Sequence, residues 1–457
     1  MAVTSSGDGN FSSVITGGLS VNDDVIIDHD VTMDGHAPNV NSLTINSGKT
    51  LTGGGYKITC DGESSANVVI NNDGNISGNL DLEINTQTTT SAVFGGSAGN
   101  CFRNVKLNDA SVVLHLLQNA FIDGQLTIAA GQLKTYSEAN ADRTLTCDGS
   151  DISVASGAFL KIKGSTVTSR KLTSTGTLDG NGGKFVVTGA GLGNTTRTID
   201  LGGTITGDVD VELTGAGNDR HEDLQASGNI RNLTINNAAA VIHTGRNTTI
   251  GGDLTITAGT LSTDDSGTSV DLTVAGDVSV TGTLTGNASA ISFGSLSVAS
   301  GGTYSATSGT TTITKNTGGT DNRAFFIHGS ATFTHNNGLV KFTGSNPQVA
   351  PTSSGQTSTN HPFYDLEQTN GRILWKAEHH RVLNNCTMRG SGFNGSTGNI
   401  HVLGICRLTA ETFNDSDIAT NDNSFFQTLI IESGATVDLS AINITVGSLR
   451  NLGGTIQ

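Results

Sequence analysis

Proline is nearly missing, 4 residues in a chain of 457. Collagen-like and polyproline architectures need it in abundance, and a sheet ladder does better without it, because Pro has no amide hydrogen to donate. Charge is sparse too: 24 Lys and Arg stand against 40 Asp and Glu, a net charge of −16, beside 35% apolar residues. A disordered chain needs low hydrophobicity together with dense charge, so a folded core is expected. No cluster of Lys and Arg is present, so a nucleic-acid partner is not expected. Long apolar runs are missing as well. The stretch from Ser111 to Ile122 is broken by His115, Gln118 and Asn119 and falls short of the roughly 18 residues a spanning helix needs, so no membrane insertion is expected.

The amino terminus, Met1 to Asp8, carries neither a basic region nor an apolar one, so no signal peptide is legible and assembly in a cytoplasm is expected. The five cysteines, Cys60, Cys101, Cys147, Cys386 and Cys406, show no CxxC spacing and are odd in number, which reads as buried, reduced thiols. Aromatics are few, with one Trp and four Tyr. The bore of a narrow coil fits Leu, Ile and Val in their place.

Glycine is abundant, 61 residues, and falls irregularly. A nonamer of the form apolar-x-apolar-x-small-small-x-x-apolar recurs at Leu43 (LTINSGKTL), Ile152 (ISVASGAFL), Leu233 (LTINNAAAV), Leu296 (LSVASGGTY) and Leu429 (LIIESGATV). Versions one residue shorter begin at Leu126 (LTIAAGQL) and Leu254 (LTITAGTL). Each reads as a short strand, a tight corner and the start of another strand. Self-similarity at about 20 residues marks a repeat architecture. The copies at 126 and 152, and at 233 and 254, are read as one coil apart, and those at 254 and 296 as two. A longer unit sets LTIAAGQL before LTCDG at Leu145 and ISVASG at Ile152, and LTITAGTL before LTVAG at Leu272 and VSVTG at Val278; a looser copy runs from Leu43 to ITCDG at Ile58.

Short period-two strands joined at glycine corners predict an all-β chain, a right-handed parallel β-helix, with loops or hairpins protruding in the carboxy-terminal third. The hairpin expectation rests on Asn337-Gly338, Asn370-Gly371 and Asn394-Gly395. The expected organisation is a capping segment over 1–38, the β-helix over 39–346, an irregular loop-rich β region over 347–426 and terminal coils over 427–457. Leu43, Ile45, Leu254, Ile256, Leu296 and Val298 should point into the bore. At roughly 22 residues per coil and about 4.8 Å per rung, the chain would build a rod approaching ~100 Å.

The segment GDGNFSSVITGGLSVNDDVIIDHDVTMDG, Gly7 to Gly35, followed by Asn39 to Gly55, resembles the amino-terminal β-helix region of the eight-glycine domain family. Phe11 stands at that family's Trp position and His29-Asp30-Val31 at its Gly-His-x-Val element, while its Pro-containing loop is missing. Ala331 to Val349 and His361 to Gly371 are similar to repeats in β-helical structural proteins of tailed bacteriophages and in bacterial surface adhesins. The resemblance implies a virion structural protein of spike, fibre or decoration type, assembled in the host cytoplasm. It would mediate assembly or attachment, with other virion proteins and a host surface glycan as partners. The alternatives are a polysaccharide depolymerase or lyase on a β-helix, and a surface adhesin.

Candidate chemistry is thin. Alternation puts Asp24, Asp28, Asp30 and Asp34 on one face, a stripe that reads as a solvated wall rather than a Ca²⁺ site. No catalytic residue, metal ligand or cofactor is expected. Trp375 with His379, His380 and Arg381 forms the most unusual local composition and is the candidate binding patch, since aromatic and Arg residues dominate recognition surfaces. Cys386 and Cys406, about one coil apart, should stack as thiols in successive coils. Leu449, Leu452 and Ile456 continue the bore pattern to the last residues and need a cover, which points to a homotrimer or a docked virion protein.

Overall fold

The computed structural model describes all residues except 36–37, 63–67, 86–88, 96, 138, 140, 190–191, 193–196, 223, 225–229, 319–321, 351–361, 376–378, 390–391, 396–398, 410–411, 414–423 and 439–443. It is 57% strand and 1% helix, with parallel sheets stacked as a β-solenoid of about 17 turns. No described helix is long and apolar enough to cross a membrane. The chain divides into two compact units, Met1–Arg231 and Asn232–Gln457.

In the first unit a sheet of ten strands runs from Ala2–Thr4 to Thr204–Thr206, each strand drawn from a different coil. Stacking begins at once: Val3 pairs with Val25, and Val25 with Leu43. The stretch expected to act as a capping segment therefore already carries rungs of the solenoid. A four-residue helix, Phe11–Val14, interrupts it and buries Phe11 and Val14. Period-two alternation is followed closely. In Asp81–Ile84, Leu82 and Ile84 are buried and Asp81 and Glu83 face outward. In-register pairing then builds columns of like residues in the bore, such as Leu114, Leu133, Leu160, Leu178 and Ile205. Each of those side chains is buried, and each contributes about 1.5–3 kcal/mol relative to exposure.

The second unit repeats the plan. Leu254 pairs with Val278 and Val278 with Leu296, the two steps read from the repeat. One column runs through Leu272, Ile291, Thr311, Val340, Leu366, Cys386, Cys406, Leu429 and Leu449. Leu43, Ile45, Leu254, Ile256, Leu296 and Val298 are at most 1% exposed, so all six bore assignments hold. The expectation of an aliphatic bore does not. Tyr304, Phe325, Phe333, Phe342 and Phe363 form a buried knot with ring centroids 5.4–6.5 Å apart, joined by Phe293 at 6.4 Å from Tyr304. Tyr304 is buried because its hydroxyl finds Thr311 Oγ1 at 2.8 Å.

The Asn-Gly steps also behave differently from expectation. Asn337-Gly338 turns the chain between Thr332–Thr334 and Leu339–Phe342, Asn370-Gly371 turns it between Asp365–Gln368 and Arg372–Trp375, and Asn394-Gly395 lies inside Gly392–Gly395. All these strands pair in parallel, so the first two steps are corners rather than hairpin turns. Asn337 and Gly371 take the positive φ (60° and 65°) that such a corner requires. The antiparallel strand pair among the described residues is Asp264–Asp265 with Thr268–Ser269, turned by Ser266 and Gly267.

Candidate functional site

The residues expected to form a binding patch lie on two strands. Trp375 ends Arg372–Trp375, whose neighbours are Gln348–Ala350 and Gly392–Gly395. His379, His380 and Arg381 belong to His379–Val382, which pairs with Asn399–Leu408. The side chains of Trp375 and His379 lie outside the described residues. His380 is 2% exposed and turned inward, whereas Arg381, one residue on, is half-exposed. Alternation thus places His380 and Arg381 on opposite faces of the wall, and one outward surface does not hold both.

The acidic stripe is a set of ladders. Asp24 accepts from Asn41 Nδ2 (2.8 Å) and Ser42 Oγ (2.6 Å), Asp28 from Asn46 Nδ2 (2.9 Å), and Asp30 from the Thr50 amide (2.8 Å). Asp34 accepts from the amide and hydroxyl of Ser12. Each carboxylate is therefore tied to a coil above or below. Among the described residues no group of three or more His, Cys, Asp or Glu is placed to hold a metal ion.

Cys386 and Cys406 are register partners on adjacent rungs, buried and unbridged, as their one-coil spacing implied. Burial drives the Cys386 thiol well above its ordinary value, and the neighbouring Cys406 adds to this. The same desolvation pushes Cys60 up to about 12. Thiols held protonated are poor nucleophiles.

A polar cluster that the sequence reading missed joins three coils of the second unit. His243 and Ser262 are register partners on neighbouring strands, and both reach Asp264 Oδ1, His243 through Nδ1 at 2.7 Å and Ser262 through Oγ at 2.5 Å. Asn287 adds Nδ2 at 3.0 Å from Ser262 Oγ. Burial raises the Asp264 carboxyl, but the hydrogen bonds from Ser262 and His243 outweigh it and hold the group below the usual range. The order of partners matters chemically. A nucleophilic serine needs the imidazole as its proton acceptor, with the carboxylate behind the imidazole. Here the serine proton points at the carboxylate, so the cluster fastens coils instead of activating an oxygen.

A second missed acid, Glu222, is wholly buried in the first unit. It accepts from the amides of Thr198 (2.8 Å) and Ile199 (2.7 Å) and from the Thr198 hydroxyl, a bond between successive coils. A recess of about 750 Å³ lies between Phe11, Ile15, Leu19, Val21 and Pro38, and among the described residues its lining contains no ionisable side chain. Its described polar groups are hydroxyls, one amide and backbone. Comparison with family models, with curated proteins and with solved structures finds no match to this chain.

Proposed function

We propose that the chain is a structural component of a tailed-phage virion, of spike, fibre or decoration type, that mediates particle assembly or attachment to a host surface. The observation that carries this reading is how the charged side chains are used. Arg103 grips Asp81 through Nε and Nη2 (2.7 and 2.6 Å), Arg231 grips Asp210 in the same way (2.8 and 2.7 Å), and Glu83 sits between Lys57 and Lys106. Lys184 meets Glu212, Lys315 meets Asp277 and Arg407 meets Glu432. Every one of these pairs links different coils, so these six carboxylates, Asp81, Glu83, Asp210, Glu212, Asp277 and Glu432, are engaged as staples and not held free as a glycan hydrolase would need them. Within each unit, stapled and ladder-bonded coils are held in place on their neighbours and present a fixed outer surface. On this reading the chain acts mechanically and carries no catalytic residue.

One further observation supports it. The cysteines stay free and buried, which suits assembly in a reducing cytoplasm. Leu449, Leu452 and Ile456 are 49%, 56% and 41% exposed, and a parallel homotrimer or a docked virion protein is the proposed partner on this reading. Mass spectrometry of purified virions tests the assignment: the chain is expected among the structural proteins at stoichiometric level, and its absence there would sink the reading. Release of reducing ends from host polysaccharide by the purified chain would move it to the depolymerase class instead. Light scattering is expected to give a trimer mass, and a stable monomer at micromolar concentration would exclude the trimer.

A further inference from the structure

On one wall of the first unit, bases follow one another in register. Along the ten-stranded sheet the register places His115 beside Lys134, Lys134 beside Lys161, and Lys161 beside Asp179. Like charges directly opposite on neighbouring strands are destabilising, so Lys134 on Lys161 at the strand spacing costs stability. Lys161 and Asp179 are register partners and both half-exposed, yet they do not close into an ion pair with each other. A cationic donor and an anionic acceptor therefore stand side by side, open to a third party.

The side chains around them make a recess. Tyr136, Lys161, Lys163, Asp179 and Asn181 line a cavity of about 130 Å³. A water occupies about 30 Å³ and drug-sized ligands need roughly 300 Å³ or more, so the space suits one charged substituent and its neighbouring hydroxyl. Aromatic faces help to position the ammonium groups: Lys163 Nζ is 5.8 Å from the Tyr136 ring centroid and Lys161 Nζ is 5.4 Å from that of Phe159. Backbone geometry adds an independent pointer. Lys163 and Asn181 both sit at positive φ, 45° and 40°. Asn tolerates that conformation, while a Lys there keeps its ammonium in place at a steric cost.

We propose that this recess binds a hydroxylated anion, the acidic residue of a polysaccharide, with its carboxylate or sulfate on Lys161 and Lys163 and an adjacent hydroxyl donating to Asp179. It gives the attachment role proposed above a ligand class, and rests on that reading only for the biological source of the sugar. Binding is measured on the isolated full-length chain, so a negative virion result leaves it standing, and a negative binding result leaves the virion assignment standing.

The test uses fluorescently labelled oligosaccharides of equal length: a uronate oligomer, a sulfated oligomer and a neutral dextran oligomer. Anionic oligomers are expected to bind and the neutral one not to. Preference for uronate or for sulfate identifies the substituent. Lys161→Gln and Lys163→Asn should each weaken binding by about tenfold, the loss of one charge-assisted contact. Lys163→Asn suits the left-handed backbone and should fold normally, which keeps the test sound if Lys161→Gln is unstable. Lys315→Gln, an identical charge change at a Lys paired with Asp277, should leave binding unchanged. No binding of either anion at millimolar concentration, equal binding of dextran, or equal weakening by Lys315→Gln would overturn the proposal.

Discussion

One column of the first unit and the aromatic knot of the second meet a lengthened coil with different side chains. In the first, Leu133 stacks on Leu160 although the step from Gln132 to Phe159 is longer than the step from Val113 to Gln132 before it. Part of that longer step is a turn closed by the antiparallel Tyr136–Asp142 bridge, and the column stays aliphatic. In the second, the step from Leu296 to Phe325 is longer than the step from Val278 to Leu296 before it, as is Tyr304 to Phe333, and there the aromatic knot fills the interior. Coil length alone does not choose the core residue. Close packing leaves no void unfilled, and the side chains that fill it differ between the two steps.

The comparison can be broken, most forcefully, by a charge in the bore. Ile256→Asp buries an unpaired carboxylate and should abolish soluble expression, whereas Thr255→Asp, on the outward face, should express normally. Next, Phe325→Ala should cost about 4 kcal/mol and Leu160→Ala about 3 kcal/mol, read from urea midpoints; equal shifts would mean that the aromatic knot adds nothing beyond volume. Corners come third. At Gly48 an added Cβ meets nothing within 4 Å, so Gly48→Ala should cost only the left-handed strain of about 1–2 kcal/mol. At Gly371 it would stand 1.6 Å from the Ser345 carbonyl oxygen, so Gly371→Ala should cost clearly more.

The smallest effect is electrostatic and depends on pH. The Lys57 hydrogen bond holds the Glu83 carboxyl below its usual range against the opposing effect of burial, with Lys106 adding to the lowering. The folded value lies under the unfolded one, so the stabilisation is complete above the ordinary Glu value of about 4.3 and is lost as pH falls through the folded value. Glu83→Gln should therefore lower the melting temperature slightly at pH 7, and the deficit should shrink as the pH falls below the ordinary Glu value. Asp264→Asn tests the same sign in the second unit. A Glu83→Gln deficit that persists unchanged in acid would show that the contact acts through packing and not charge.

Much of the solenoid was legible because its inward face repeats. The strand-corner-strand nonamer marked Leu126 above Ile152 and Leu233 above Leu254, and the spacing of the last two cysteines found the Cys386–Cys406 rung. The phase of the coil was not legible. LTINSG at Leu43 lies on the ten-stranded wall, while the matching LTIAAG at Leu126 lies on another wall and reaches the ten-stranded one only at Gln132–Lys134. One motif serves different corners because any corner needs the same small residues. The outward clusters were invisible for a related reason. His243, Ser262 and Asp264, or Tyr136, Lys161 and Asp179, meet across coils of unequal length. Period-two alternation says which side chains face out but not which coil neighbour each will touch.

The register itself constrains how the chain reaches this fold. Among the described residues no strand register reaches further along the sequence than that of Leu296 with Phe325, a single coil in a chain of 457. Relative contact order is therefore about 0.05, below the range of helical bundles and far below that of sandwiches and barrels. An all-β protein of this size would ordinarily fold slowly because distant strands must meet. Here each rung needs only the one just made, so ordering can follow synthesis at about 5–20 residues per second and add a coil every few seconds. Growth then proceeds in one direction, and the newest rung serves as template for the next.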